Sequence, residues 1–107
     1  MAISQKFPGL NPYTDKVAKF MSVLAHKKRL LILETLLNEE MSIAALADRT
    51  DLSRTELTLQ LSRLKEQKLV SIRQADTVKL YSVASPCVAP VFVALADLYC
   101  LSPEQLP

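Results

Sequence analysis

Apolar residues recur along this chain at two periods, and the change from one to the other divides it into elements. Tyr13, Val17, Phe20 and Leu24 lie on one stripe of a helix expected over 13–24 (α1), with Lys16 and Lys19 off the stripe. A second helix (α2) begins near His26. Its run Leu30-Leu31-Ile32-Leu33, continued by Leu36 and Leu37, is apolar on too many sides for a surface helix and predicts the central buried one. Ser42 is placed to cap a short third helix ending near Arg49 (α3), with Met41 and Leu46 as a hydrophobic staple across its start. The fourth helix, running to about Gln67 (α4), has the strongest start signal. Ser53-Arg54-Thr55-Glu56 reads as a capping box, in which the Ser53 hydroxyl accepts from the Glu56 amide and the Glu56 carboxylate accepts from the Ser53 amide. Leu52 and Leu57 add a second staple, and Leu57, Leu61 and Leu64 mark the core face.

After Lys68 the period becomes two. Val70 and Ile72 alternate with Ser71 and Arg73 (β1), and Val78 and Leu80 alternate with Lys79 and Tyr81 (β2). Gln74-Ala75-Asp76-Thr77 connects them. A last helix (α5) is expected over about 86–100. Ser85 as N-cap with Pro86 at the first position gives one start. Pro90 gives another, because an interior proline clashes with the carbonyl four residues back; Cys87 then falls in an irregular turn. The predicted fold is mainly α with a two-stranded β wing, in the order α1-α2-α3-α4-β1-β2-α5. A flexible segment is expected at 1–12, one domain at 13–101 and a tail at 102–107.

The short helix α3, the break Thr50-Asp51-Leu52, the capped helix α4 and a hairpin together form a winged helix-turn-helix. The second helix of such a unit enters the major groove of duplex DNA. With Leu57, Leu61 and Leu64 turned inward, the opposite face of α4 carries Arg54, Thr55, Thr58, Leu59 and Ser62. Arg54, Thr55, Thr58 and Leu59 are the candidate base readers. A guanidinium pairs with a guanine edge, hydroxyls bond bases or phosphates, and a leucine with no core to join can meet a thymine methyl. Ser42, Ser53, Ser62, Arg63, Arg73, Gln74, Thr77 and Lys79 are candidate contacts to the DNA backbone. Arg73 and Lys79 are expected on one face of the wing, with Gln74 and Thr77 near its tip.

Composition sharpens this. A chain of 107 residues, 50% of them hydrophobic, suits one domain with a core, although pairing often completes so small a domain. The net charge of +2 does not announce a nucleic-acid partner; its distribution says more. Arg54, Arg63, Lys65, Lys68, Arg73 and Lys79 outnumber Glu56, Glu66 and Asp76 between Ser53 and Lys79, whereas residues 84–107 hold no base at all. One part can meet phosphate, and the other is nearly hydrocarbon. The expected homodimer face is therefore Tyr13, Val17 and Phe20 of α1 with Val91, Phe92, Leu95, Leu98 and Tyr99 of α5.

No run reaches the ~18 apolar residues of a membrane span, and Met1–Pro12 contains no signal-peptide core, so a cytoplasmic protein is expected. One histidine and two cysteines without a Cys-x-x-Cys pair argue against structural zinc. With no nucleophile–base pair and no glycine-rich phosphate loop, an enzyme has no footing. His26 reads as a helix-start residue. Arg29 reads as a brace, with a phosphate contact left open. Cys87 and Cys100 would lie roughly 20 Å apart along a helix, beyond disulfide reach within one chain. They read as small buried hydrophobes. The alternative is that they approach across a dimer and answer oxidants or metalloids. A protein-binding module on the same scaffold, without DNA binding, is the other competing reading.

The stretch Val23-Leu24-Ala25-His26-Lys27-Lys28-Arg29-Leu30-Leu31-Ile32-Leu33 resembles the opening "A-(N/D)-P-x-R-L-x-I-L" of the bacterial ArsR/SmtB family of repressors. Met41 to Leu64 resembles that family's "L-S-V-x-x-L-A…L-S-Q-S-x-L-S-x-H-L-x-x-L". The glycine-free wing Arg73 to Val78 brings the chain nearest to the NolR/HlyU/BigR-like branch. The resemblance spans roughly Phe20 to Cys100. It implies a homodimer through the first and last helices and base-reading positions at Arg54, Thr55, Thr58 and Leu59; a repressor dimer of this kind is expected to bind an inverted repeat with half-sites about one helical turn apart. Gln60 stands for a common histidine and Arg54 for a common glutamine, which implies a different operator. The family's sensing sites are not reproduced. Ser42 and Ala44 stand where one site needs cysteines, and Ser85, Cys87, Leu98 and Leu101 where another needs Asp, His and carboxylate ligands. Glu34 stands where a persulfide-sensing pair needs the cysteine that would partner Cys100. No cofactor is expected, nor a metal or small-molecule inducer at those places.

Overall fold

Two serine caps fix the frame on which the rest packs. In the computed structural model, which describes residue 9 and residues 11–101, the Ser42 hydroxyl accepts from the Ala45 amide at 3.1 Å and starts α3. The Ser53 hydroxyl accepts from the Glu56 amide at 3.0 Å and starts α4. The elements are α1 Thr14–Leu24, α2 Lys27–Asn38, α3 Ile43–Thr50, α4 Arg54–Glu66, β1 Val70–Ala75, β2 Val78–Val83 and α5 Val88–Leu101, in the expected winged helix-turn-helix order. Most of segment 1–12 and all of tail 102–107 lie outside the described residues. No helix among the described residues is long and apolar enough to cross a membrane.

The capping box is only half made. The Glu56 carboxylate does not return to the Ser53 amide; it binds Lys28 and Gln60 instead. α4 closes in a Schellman motif, with the Lys68 amide donating to the Lys65 carbonyl and the Leu69 amide to the Leu64 carbonyl, both at 2.9 Å. The left-handed residue of that motif is Lys68, at φ 63°. Asp51 does the same work after α3 at φ 60°.

Helix α2 is central, as its apolar run predicts: α1, α3, α4, β2 and α5 all pack on it. Ile32, Leu33, Leu46, Leu57, Leu61, Leu64 and Val88 are fully buried.

The wing differs from expectation by one register step. Tyr81 is 8% exposed, whereas Val78 is 44% exposed, so Tyr81 and not the Val78–Leu80 pair carries the inward face of β2. The cause is non-local. Met41 forms a bridge beside β2, giving and receiving backbone bonds with Tyr81 at 3.0 and 2.8 Å. Cross-strand pairs Val70↔Val83 and Ile72↔Tyr81 then share the face that meets the helices. The strands also run further than expected. Ala75 pairs with Val78, leaving a two-residue turn, Asp76-Thr77, with Asp76 at φ 57°.

Helix α5 takes neither expected start. It opens at Val88, after a turn in which the Ser85 hydroxyl accepts from the Cys87 amide at 3.2 Å. Pro90 is then the third helical residue, where an amide would have no intrahelical partner in any case. Cys87 is exposed, contrary to the expectation of a buried thiol. The side chain of Cys100 lies outside the described residues.

Candidate nucleic-acid interface

The outer face of α4 follows from what its inner face buries. Leu57, Leu61 and Leu64 are sunk in the core, which leaves Arg54, Thr55, Thr58, Leu59 and Ser62 lining one shallow concavity open to solvent. Leu59 is 46% exposed at its centre. The Thr58 hydroxyl donates to the Arg54 carbonyl at 2.8 Å, which uses its hydrogen and leaves its lone pairs outward.

A second cleft lies between the start of α3 and the wing. Ser42, Ala44, Arg54, Gln74, Thr77 and Lys79 line it, along with neighbouring apolar side chains. Arg54 belongs to both concavities and joins them. The structure thus brings together Arg54, Thr55, Thr58, Leu59 and Ser62 on one side, and Ser42, Gln74, Thr77 and Lys79 on the other. The hydroxyls of Ser42 and Ser53 are engaged as caps. Gln74 donates to the Asp76 carbonyl at 3.1 Å, folded over the turn. Arg63 sits in the last turn of α4 and lines neither cleft.

Arg73 departs from expectation. It pairs with Leu80 and Gln74 pairs with Lys79, so Arg73 and Lys79 project from opposite faces of the hairpin. Arg73 is also engaged: its Nε donates to the Glu40 carboxylate oxygens at 3.1 and 2.9 Å, and its Nη2 reaches Oε1. This forked pair holds the Glu40 carboxyl below its ordinary pKa and raises that of Arg73.

Behind α4 lies a polar network that sequence reasoning misplaced. Gln60 is only 3% exposed and faces inward, so it does not belong to the outer face of α4. Arg29 Nε donates to Gln60 Oε1 at 2.9 Å, and Gln60 Nε2 donates to Glu56 Oε2 at 2.9 Å. Lys28 Nζ donates to Glu56 Oε1 at 2.8 Å, and Arg29 Nη1 reaches the Val23 carbonyl at 3.3 Å. The Lys28 ammonium, then the Gln60 amide, hold the Glu56 carboxyl below its ordinary pKa. Arg29 is a brace, its guanidinium turned toward Gln60 and the end of α1. The signal for Gln60 was present: it falls three after Leu57 and four before Leu64, on the buried stripe. His26 occupies the N-cap position of α2 but its side chain makes no cap bond, and its Nδ1 is buried without a partner among the described residues.

The expected dimer residues divide. Phe20, Val91 and Phe92 pack partly against the protomer's own core, and Val17 is half-buried. Tyr13, Leu95, Leu98 and Tyr99 are exposed, joined by Met21 and Val93, which the sequence reading did not single out. Among the described residues, no three His, Cys, Asp or Glu side chains converge to hold a metal. Glu34 lines a groove between α2 and α5 with Phe92, Val93 and Ala96.

No protein-family model matches the chain. Individual proteins do. The nodulation protein NolR of Rhizobium meliloti is 44% identical over 82 residues, covering 77% of this chain and 67% of NolR. The transcriptional activator HlyU of Vibrio cholerae is 32% identical over 85 residues, covering 79% of each. Among solved structures, NolR from Sinorhizobium fredii superposes with a TM-score of 0.76 at 37% identity, covering 91% of this chain and 97% of that one. The homodimeric winged helix-turn-helix DNA-binding domain of Mb0332 from Mycobacterium bovis superposes with a TM-score of 0.72 at 27% identity, covering 98% and 99%.

Proposed function

Because this chain belongs to the ArsR/SmtB family of DNA-binding winged helix-turn-helix transcriptional regulators, we propose that it acts as a repressor, binding an inverted-repeat operator as a homodimer in the cytoplasm. The observation that carries this reading is Leu59, a large apolar side chain held in solvent between Thr55, Thr58 and Ser62 on a capped helix. A leucine there keeps 46% of its surface exposed and suits a thymine methyl in the major groove. Arg54, Thr55 and Thr58 read base edges beside it. Lys79, Thr77 and the region around Ser42 meet phosphates across the second cleft, where they position the helix without reading sequence. Tyr13, Leu95, Leu98 and Tyr99 form the surface that pairs two copies, with half-site centres about 34 Å apart. The Mb0332 structure, which is a homodimer, supports the pairing by overall likeness.

The repressor is proposed to need no cofactor and to ignore zinc and arsenite at the family's sensing positions. A useful metal site needs three or four donor side chains in a closed geometry, and Ala44, Leu98 and Leu101 donate nothing. Selection from random duplexes followed by salt-titrated binding tests the whole reading. The expected result is a palindrome whose discrimination weakens in Arg54→Ala and Thr58→Ala. No retention on duplex at low salt, with no sequence enriched, refutes it in favour of a protein-binding module.

A further inference from the structure

We infer that Arg73, through Glu40, is a positioning residue that aims the wing, and that it does not itself hold DNA phosphate; this rests on the DNA-binding reading above. Three observations lead there. First, the register puts Arg73 on the face of the hairpin away from Gln74 and Lys79, which line the cleft with Arg54. Second, its guanidinium is already occupied by a forked pair with Glu40, and a guanidinium holding both oxygens of one carboxylate has its planar edge committed. Third, the pair stands at the place where the wing loses its other support. Glu40 directly precedes Met41, whose two backbone bonds with Tyr81 are the only hydrogen bonds from β2 to the rest of the protein outside the hairpin ladder among the described residues. Ile72 pairs with Tyr81 at that level, and Arg73 with Leu80 is one step nearer the tip.

Beyond Arg73 the hairpin continues through Gln74 and Ala75, about 7 Å at strand rise, with no further hydrogen bond to the helical body among the described residues before the Asp76-Thr77 turn. A two-stranded hairpin is marginal alone and twists readily. The residues that would meet phosphate, Thr77 and Lys79, therefore hang from a lever whose last tie is the Arg73–Glu40 pair. Crossing from β1 over β2 to the residue beside Met41, that pair links the outer strand of the hairpin to the start of α3. Its forked geometry fixes direction as well as distance, which a lysine at 73 could not do.

The experiment measures duplex affinity across a salt series for Glu40→Gln, Arg73→Ala, the two together, and the swap Glu40→Arg/Arg73→Glu. Lys79→Ala is the reference for a phosphate contact. Amide hydrogen exchange at 74–78 in the DNA-free protein runs alongside. Each single change should weaken binding roughly two- to fivefold, the scale of an exposed pair, with the slope of log K against log salt unchanged. The double should be no weaker than either single, and the swap should recover affinity. Lys79→Ala should lower the slope by about one. Exchange at 74–78 should quicken in both singles. The inference is overturned if Arg73→Ala lowers the slope by about one while Glu40→Gln tightens binding, because Glu40 would then be competing with phosphate for Arg73. Unchanged exchange at the tip overturns it too, whatever DNA does. If the wild-type protein binds no duplex, the DNA reading fails by itself and the exchange result still decides the role of the pair.

Discussion

Replacing Gln60 by leucine should destabilise the protein by about 2 kcal/mol, although the two side chains are similar in size and the site is buried. Gln60 is 3% exposed and joins Arg29 to Glu56 by two bonds of 2.9 Å. Leucine fills the space, so no cavity term arises. What is lost is the acceptor of a part-buried guanidinium. Arg29 keeps only the longer contact to the Val23 carbonyl at 3.3 Å. A buried donor left unsatisfied costs about 1–3 kcal/mol. Glu56 retains Lys28 and reaches solvent, so it adds little. Against a typical domain stability of about 5–15 kcal/mol this is a large fraction, and it corresponds to a fall in Tm of about 8–16 °C. Urea unfolding at several protein concentrations measures it, because pairing makes apparent stability concentration-dependent. Arg29→Leu/Gln60→Leu should cost less than the sum of the single changes, since removing both partners leaves nothing orphaned. A loss under about 0.5 kcal/mol, or strict additivity, would refute the network as the reason for a glutamine in the core.

Lys68→Gly should stabilise the fold by about 0.5–1 kcal/mol, because relief of the left-handed conformation at the end of α4 outweighs the destabilising freedom that glycine adds to the unfolded chain; urea midpoints decide. Glu40 and Glu56 have lowered pKa values in the fold, so their pairs support it above the ordinary carboxylate range and the support is lost as pH falls through those lowered values. Urea midpoints of wild type and of Glu40→Gln or Glu56→Gln should accordingly differ at pH 7 and converge as pH falls below the ordinary carboxylate range and through those lowered values. Leu95→Glu should leave the protomer folded, since Leu95 is exposed in it, yet shift sedimentation toward monomer.

Local chemistry was legible in the sequence, and contacts between distant residues were not. Ser42 and Ser53 cap as their spacing predicts, because a cap involves only residues three apart. The outward face of α4 followed from the leucine stripe for the same reason. On β2 the inward face differs because Tyr81, whose amphipathic ring reads as polar by alternation, pairs with Ile72 and bridges to Met41, forty residues earlier. The half-made capping box failed similarly: nothing near Glu56 in sequence says that Lys28 will outbid the Ser53 amide. The Arg73–Glu40 fork, 33 residues apart, left no local trace at all. Gln60 is different in kind, since its place on the buried stripe was visible and polarity alone argued against it.

Arg54 lines both the groove-facing side of α4 and the cleft beneath the wing. For anyone redesigning the operator preference, that makes the first turn of α4 a poor place to begin. On the proposed reading, a change at 54 touches both the base-reading face and the cleft lined by the wing, so gain and loss arrive in one mutation. Thr55, Thr58 and Leu59 line only the first concavity, and a library restricted to those three can explore new sequences while the wing keeps its footing.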